Sequence, residues 1–91
     1  MKHFHSTYQI VAFNKSVGNH FFSPSSMRFF SSRIHEQVYN GSYFVTSEKF
    51  DWKSPRLYTV RKIESDGSIT TIGDFQGYET RSKAHTAAKN Q

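Results

Sequence analysis

The chain has 91 residues, and its 12 Lys and Arg against 7 Asp and Glu give a formal net charge of +5 at pH 7. This length predicts one domain with a small core, and nine Phe, five Tyr and one Trp supply apolar surface that a disordered chain lacks. The absence of Cys excludes disulfides, thiolate zinc sites and cysteine nucleophiles, and it fits a reducing cytoplasm. Because no signal peptide or membrane span is recognisable, we predict a single cytoplasmic domain over residues 1–91.

The first third of the chain predicts one strand and one short helix. The segment His5–Phe13 is short and rich in Tyr, Ile, Val and Phe, which predicts a strand. Ser23 followed by Pro24 is typical of a helix start. The Ser side chain can accept a hydrogen bond from an unpaired N–H of the first turn, and Pro at the first position has no N–H to leave unpaired. We expect this helix over residues 24–32, with Phe30 on its apolar face.

The middle of the chain predicts an antiparallel sheet. Residues 34–39 are compatible with irregular chain or an edge strand, and Asn40-Gly41 indicates a turn. Tyr43–Ser47 has strong strand propensity, and an exposed edge there would allow pairing between two copies in a homodimer. Residues 57–64 and 68–75 predict a hairpin in which Ile63 pairs with Ile69.

The end of the chain predicts a helix capped by Thr80 and running to about Lys89. Its small residues recur on one side, which would let the helix pack closely on a sheet, and they are Ala84, Ala87 and Ala88. Its basic residues recur beside them at helical spacing, and they are Arg81, His85 and Lys89. The fold class is therefore α+β in the order β-α-β-β-β-α, with three to four antiparallel strands and the last helix on one face.

The predicted register divides the hairpin into two faces. Tyr58, Val60 and Ile72 form the more apolar face, which we expect to pack against the last helix. The opposite face then presents Thr59, Arg61 and Thr71.

The residues GYETRSKA, at positions 77–84, resemble a signature of the AP2-like and arm-type DNA-binding domains of phage integrases, where a three-stranded sheet meets its helix. The resemblance covers the layout of Tyr43–Lys89, and it implies that the exposed sheet face enters the major groove of DNA. The positions that it implies for DNA contact are Thr59, Arg61 and Thr71 on the face, with Lys53 and Arg56 beside phosphates. The short basic chain also resembles small phage or mobile-element proteins.

A loop with two aromatic residues precedes the hairpin. Phe50 and Trp52 are flanked by Lys49, Lys53 and Arg56, a combination that can stack a base while cations meet phosphates. In so small a domain we favour the alternative that Trp52 packs into the core.

Two classes of function remain after motifs are considered. No GxSxG, HExxH or phosphate-loop motif occurs, and no third ligand accompanies His3 and His5, so we predict no enzyme, metal or cofactor. The leading hypothesis is a nucleic-acid-binding module that binds duplex DNA through its sheet face. The alternative is a protein-interaction module, such as an inhibitor of a host protein. Its aromatic surface would include Phe21, Phe22, Phe29 and Phe30.

Overall fold

The computed structural model describes residues 3–29, 31–49 and 51–91, and of Ser26 and Phe29 it describes the backbone alone. The helices are α1 (Thr7–Ser16), α2 (Pro24–Phe29) and α3 (Arg81–Lys89). The strands are β1 (Arg33–Tyr39), β2 (Tyr43–Glu48), β3 (Leu57–Ile63) and β4 (Ile69–Ile72). The observed order is therefore α-α-β-β-β-β-α, and the predicted α+β class is confirmed.

The four strands form one antiparallel sheet in the order β1-β2-β3-β4. Ile63 pairs with Ile69, which confirms the predicted hairpin register. Residues 34–39 lie within the edge strand β1, which settles their ambiguity. Because β2 lies between β1 and β3, Tyr43–Ser47 is not an exposed edge, and that ground for homodimer formation was wrong.

One face of the sheet is covered by α3. Val45 and Val60 pack against Ala84 and Ala88, and all four are fully buried. The Thr80 hydroxyl accepts a hydrogen bond from the Lys83 N–H at 3.3 Å and caps the helix as predicted. The alanine side of α3 thus faces the sheet, because small side chains permit the helix to approach it closely.

The other face is covered in part by α1, so the strand predicted over His5–Phe13 was wrong. The residues buried along α1 recur at helical spacing, and they are Thr7, Ile10 and Asn14. Ser6 occupies the N-cap position, and the Gln9 side chain three residues later reaches back to accept the His5 N–H at 2.8 Å. The Ser6 side chain makes no capping hydrogen bond, so burial of one helix face against Phe44 and Ile63, and not a local signal, overrides the strand propensity of the β-branched and aromatic residues.

The core under α1 is a second apolar cluster. Ile10, Phe44 and Ile63 are its buried members, with Phe13 and Ile69 packed around them. This cluster occupies the half of the sheet near the β1–β2 and β3–β4 turns. The other half of the same face is polar.

The helix predicted from Ser23 and Pro24 is present as α2, which begins at Pro24 and ends at Phe29. The predicted apolar-face residue Phe30 lies outside the described residues. Within the part of the chain that the structure describes, no helix is long and apolar enough to cross a membrane.

The chain bulges away from the sheet between β4 and α3. Val60 pairs with Ile72, but the next bridge joins Tyr58 to Tyr78, so residues 73–77 form a loop beside the strands. The Gln76 N–H donates to the Thr59 hydroxyl at 2.9 Å, and its amide donates to the Glu48 carbonyl at 2.9 Å. The 73–77 loop therefore lies over the polar half of the sheet face.

Candidate nucleic-acid interface

The sheet face that the sequence indicated is centred on Arg61, and Arg61 is held inside the protein. Its side chain is 9% exposed and forms an ion pair at 3.0 Å with Glu48, whose side chain is 3% exposed. Its Nε donates to the Thr46 hydroxyl at 3.0 Å, and its Nη1 donates to the Thr71 hydroxyl at 2.8 Å. These contacts hold the guanidinium against the sheet face.

Two aromatic rings flank the same guanidinium. Its central carbon lies 5.1 Å from the ring centroid of Phe21 and 5.5 Å from that of Phe75. Thr59 is fully buried beneath the 73–77 loop. The polar half of the face is therefore partly roofed, and it does not present a flat sheet surface to a DNA groove.

The five residues indicated by the sequence occupy two separate places. The structure brings Thr59, Arg61 and Thr71 together on the sheet face, where only Thr71 is exposed. Lys53 and Arg56 both lie at the end of the sheet, in the loop that joins β2 to β3. The two groups do not form one surface.

The end of the sheet carries an open groove of about 540 Å³ lined by cations. Its basic side chains come from three segments, α2, β1 and the β2–β3 loop, and they are Arg28, Arg33, Lys49 and Arg56. The other described residues of its lining are uncharged, and they are Met27, Ser31 and Ser32. We call this feature the basic groove.

Arg56 is positioned in the basic groove by the backbone around it. Its Nη1 donates to the Ser31 carbonyl at 2.9 Å and to the Ser47 hydroxyl at 2.9 Å. These partners are uncharged, so the guanidinium keeps its positive charge uncompensated by them. Arg56 also connects the segment before β1 to β2 and so holds the two sides of the groove together.

Trp52 lies beside the basic groove and is 81% exposed, so the prediction that it packs into the core was wrong. Asp51 organises its loop by accepting from the Lys53 N–H at 2.9 Å and from the Ser54 hydroxyl at 3.0 Å. These hydrogen bonds lower the pKa of the Asp51 carboxyl, and the bond from the Lys53 N–H has the largest effect. The turn leaves the indole in solvent, with the Lys53 ammonium 5.0 Å from its centroid.

The charge balance of this end is positive. The ion pairs among the described residues are Arg61–Glu48 and Lys62–Glu64, so none of the groove cations is paired with a carboxylate. Glu48 is buried against Arg61, and Asp51 is the nearby exposed acid in the Trp52 loop. Four groove cations and Lys53 therefore outweigh one exposed carboxylate.

The sequence did not identify Arg28 and Arg33 as site residues. They lie in α2 and at the start of β1, so only the folded chain brings them beside Lys49 and Arg56. No local motif marks such a grouping. The available signal was the aromatic-basic loop, if Trp52 is taken as exposed and not as packed into the core.

The predicted basic stripe of α3 is not a continuous exposed row. Arg81 and Lys89 are exposed, but His85 between them is half-buried. The His85 ring contacts the Tyr39 hydroxyl at 2.7 Å and a ring nitrogen of His35 at 2.8 Å. The middle of the stripe therefore joins α3 to β1.

The chain belongs to a family of unknown function, DUF7447, whose model matches residues 6–89. No curated protein and no solved structure matches the chain. The matched residues include all three helices and all four strands that the structure describes in this chain. The match carries no information about an activity or a partner.

Proposed function

We propose that the protein binds nucleic acid at the end of its sheet, through the basic groove and Trp52. The observation that carries this proposal is the convergence of four cations from α2, β1 and the β2–β3 loop on one open groove. Such a groove fits the phosphate backbone of a nucleic acid. Lys and Arg side chains that contact the phosphates take the place of condensed counterions, and the release of those counterions favours binding. Lys53 and Arg56 are the residues that this proposal shares with the sequence prediction.

Trp52 supports the same ligand class. An exposed indole beside cations can stack on a base while neighbouring charges contact the phosphates. A large apolar ring that is 81% exposed loses the burial energy that the core would have given it. A ligand that covers the ring restores part of that energy.

The sheet face is a weaker place for the contact. Each nitrogen of the Arg61 guanidinium already donates to a protein oxygen, and Thr59 is buried. The base edges within an intact DNA duplex would reach this face only if the 73–77 loop were displaced. We therefore propose the end of the sheet, not its face, as the region that meets the phosphate backbone.

The test measures the fluorescence anisotropy of labelled oligonucleotides, single-stranded and duplex, against salt concentration. With three or four phosphates neutralised, we expect affinity for single strands to fall about 20- to 50-fold between about 50 and 200 mM salt. Stacking should also quench the fluorescence of Trp52, which is the single Trp of the chain.

Matched charge reversals locate the contact. Arg33→Glu with Lys53→Glu should weaken binding strongly, because both side chains are exposed at the basic end. Lys15→Glu with Lys83→Glu changes net charge equally on α1 and α3 and should have a much smaller effect. Equal losses in the two double variants would reject this location. If neither oligonucleotide binds at low salt, the proposal fails and a protein partner at the exposed aromatic residues is the alternative.

A further inference from the structure

An aromatic pocket lies next to the basic groove, on the polar half of the sheet face. Its volume is about 460 Å³. Its walls are apolar and are formed by Phe21, Phe22, Met27, Ile34 and Phe75. Its floor is polar and is formed by Thr46, Glu48 and Arg61. We call this feature the aromatic pocket.

We infer that the aromatic pocket receives one unstacked base of a single-stranded nucleic acid whose phosphates lie in the basic groove. This inference rests on the proposed function and adds the class of nucleic acid. Met27 and Ser32 line both the pocket and the groove, so the two features are continuous. A strand whose phosphates contact the groove therefore has a base within reach of the pocket.

The charges of the pocket floor select a neutral occupant. Glu48 compensates Arg61 at 3.0 Å, so the floor carries no net charge although both groups are buried. A phosphate would meet the Glu48 carboxylate there, whereas the neighbouring groove offers cations without a buried acid. The phosphate accordingly belongs in the groove and the base in the pocket.

The polar groups of the floor favour a base over an aliphatic side chain. The guanidinium of Arg61 has five N–H donors, and its contacts with Thr46, Thr71 and Glu48 use three of them. An alkyl group would cover the remaining donors without pairing them, which costs free energy. A base edge presents acceptors, and its planar faces suit the rings of Phe21 and Phe75.

A duplex cannot supply such a base without opening a base pair. Unpairing and unstacking oppose entry of a paired base, whereas a single strand presents its bases freely. We therefore expect single strands to bind on the order of tenfold more tightly than duplexes of the same length and salt.

The experiment compares a short oligothymidine with an abasic strand of equal length, which keeps the phosphates and lacks the bases. Binding is measured for the Trp52→Ala protein, so that stacking on Trp52 does not contribute, and again after adding Phe21→Ala or Phe75→Ala. Each added change should weaken oligothymidine binding on the order of tenfold and leave abasic-strand binding unchanged. Tyr8→Ala is the matched control, because Tyr8 is 83% exposed on α1.

Each outcome separates the two proposals. If neither strand binds the natural protein, the proposed function fails and this inference fails with it. If both strands bind it and the pocket variants weaken both equally or neither, the nucleic-acid site stands and the pocket assignment is overturned.

A spectroscopic measurement on the natural protein covers the case in which a pocket variant does not fold. The NMR signals of the Ile34 methyl groups and the Arg61 Nε–H, which belong to the pocket and not to the groove, should move with oligothymidine and stay in place with the abasic strand. Identical shifts with both strands, or none with oligothymidine, would overturn the pocket assignment.

Discussion

At the scale of single residues, the ion pair between Arg61 and Glu48 dominates the polar half of the sheet face. Two buried charges are costly to desolvate. Their contact with each other and their hydrogen bonds with the Thr46 hydroxyl offset that cost. The pair lies under the two rings that flank Arg61. It therefore shapes the aromatic pocket and contributes to the stability of the fold at the same time.

Removing one partner of this pair should be more harmful than removing both. We expect Arg61→Met to lower the free energy of unfolding by about 3–5 kcal/mol, because the Glu48 carboxylate stays buried without its cation. The double variant with Glu48→Leu should recover most of that loss. Urea denaturation at neutral pH measures both values. A double variant no more stable than the single one would contradict this account of the pair.

Gly67 is a second position where one residue controls a contact between elements. Its φ is +89°, in the left-handed region that favours glycine, and a Cβ there would meet the Val17 side chain. Its carbonyl accepts from the Asn14 amide at 2.8 Å, which ties the β3–β4 turn to α1. The turn is thus held against the helix by both backbone conformation and close packing.

Gly67→Ala should cost more stability than Gly18→Ala. Both positions have positive φ, and Gly18 has nothing within 4 Å of the added Cβ, so it isolates the conformational cost of about 1–2 kcal/mol. The contact with the stiff, β-branched Val17 should add about 1 kcal/mol at Gly67. Thermal unfolding of the two variants measures the difference. Equal losses would mean that Val17 moves aside freely.

At the scale of elements, a chain of hydrogen bonds connects α3 to the edge strand β1. One assignment of protons gives every contact a single donor. In it His35 donates to His85, His85 donates to the Tyr39 hydroxyl, and the Tyr39 hydroxyl donates to the Gln37 amide oxygen. It requires a proton on Nδ1 of His35 and of His85, and it leaves Nε2 of His85 as an acceptor. His85 is therefore neutral when this chain of contacts is complete.

Protonation should weaken this junction. Burial, followed by the positive charges of His85, Arg81 and Arg56, lowers the pKa of His35 to about 4. Burial, followed by Arg81, also lowers the pKa of His85. Because the unfolded chain binds a proton near pH 6.5 and the folded chain does not, this contribution to stability is complete above pH 6.5. It is lost as the pH falls towards 4.

We expect His35→Asn to flatten that part of the pH profile of stability. Since His35 is half-buried, solvent screening reduces its contribution to on the order of 1 kcal/mol. Stability is measured by urea denaturation from neutral pH to about pH 4 and compared with His20→Asn, which changes an exposed histidine. If the natural protein and both variants gave parallel profiles, the His35 junction would not be the group that titrates.

The elements that local signals specify were predictable, and those that depend on distant contacts were not. Thr80, the Asn40-Gly41 turn and the Ile63–Ile69 register are encoded within a few residues, and the structure confirms each of them. The strand predicted over His5–Phe13 was wrong because its helical burial pattern has meaning only against Phe44 and Ile63.

The same distinction applies to the candidate site. The alternation along β3 correctly placed Arg61 opposite Val60, but it gave no information about Phe21 and Phe75, which approach from other segments. The basic groove depends likewise on α2 and β1 meeting beside the loop before β3. Side-chain direction is a local property, and coverage of a face is a property of the whole chain.

At the scale of the whole molecule, the sheet lies between α3 on one face and α1 on the other, and its two edges differ. The edge strand β1 has an irregular register between Ile34 and Val38, and a backbone bridge joins Gln37 to Ser6 of the N-terminal segment. The opposite edge is β4, with four residues. Short, irregular or covered edges disfavour pairing between copies.

We therefore expect the protein to sediment as a monomer. Strand pairing through Tyr43–Ser47 is blocked because β2 is hydrogen-bonded on both sides, and a four-residue β4 edge offers few backbone bonds to a second copy. The net charge of +5 adds repulsion between copies. Sedimentation velocity over a wide range of protein concentration, at low and high salt, tests this expectation.

A dimer that appears only at high salt would show that repulsion, and not the covered edges, keeps the copies apart. A dimer at low salt would contradict both reasons.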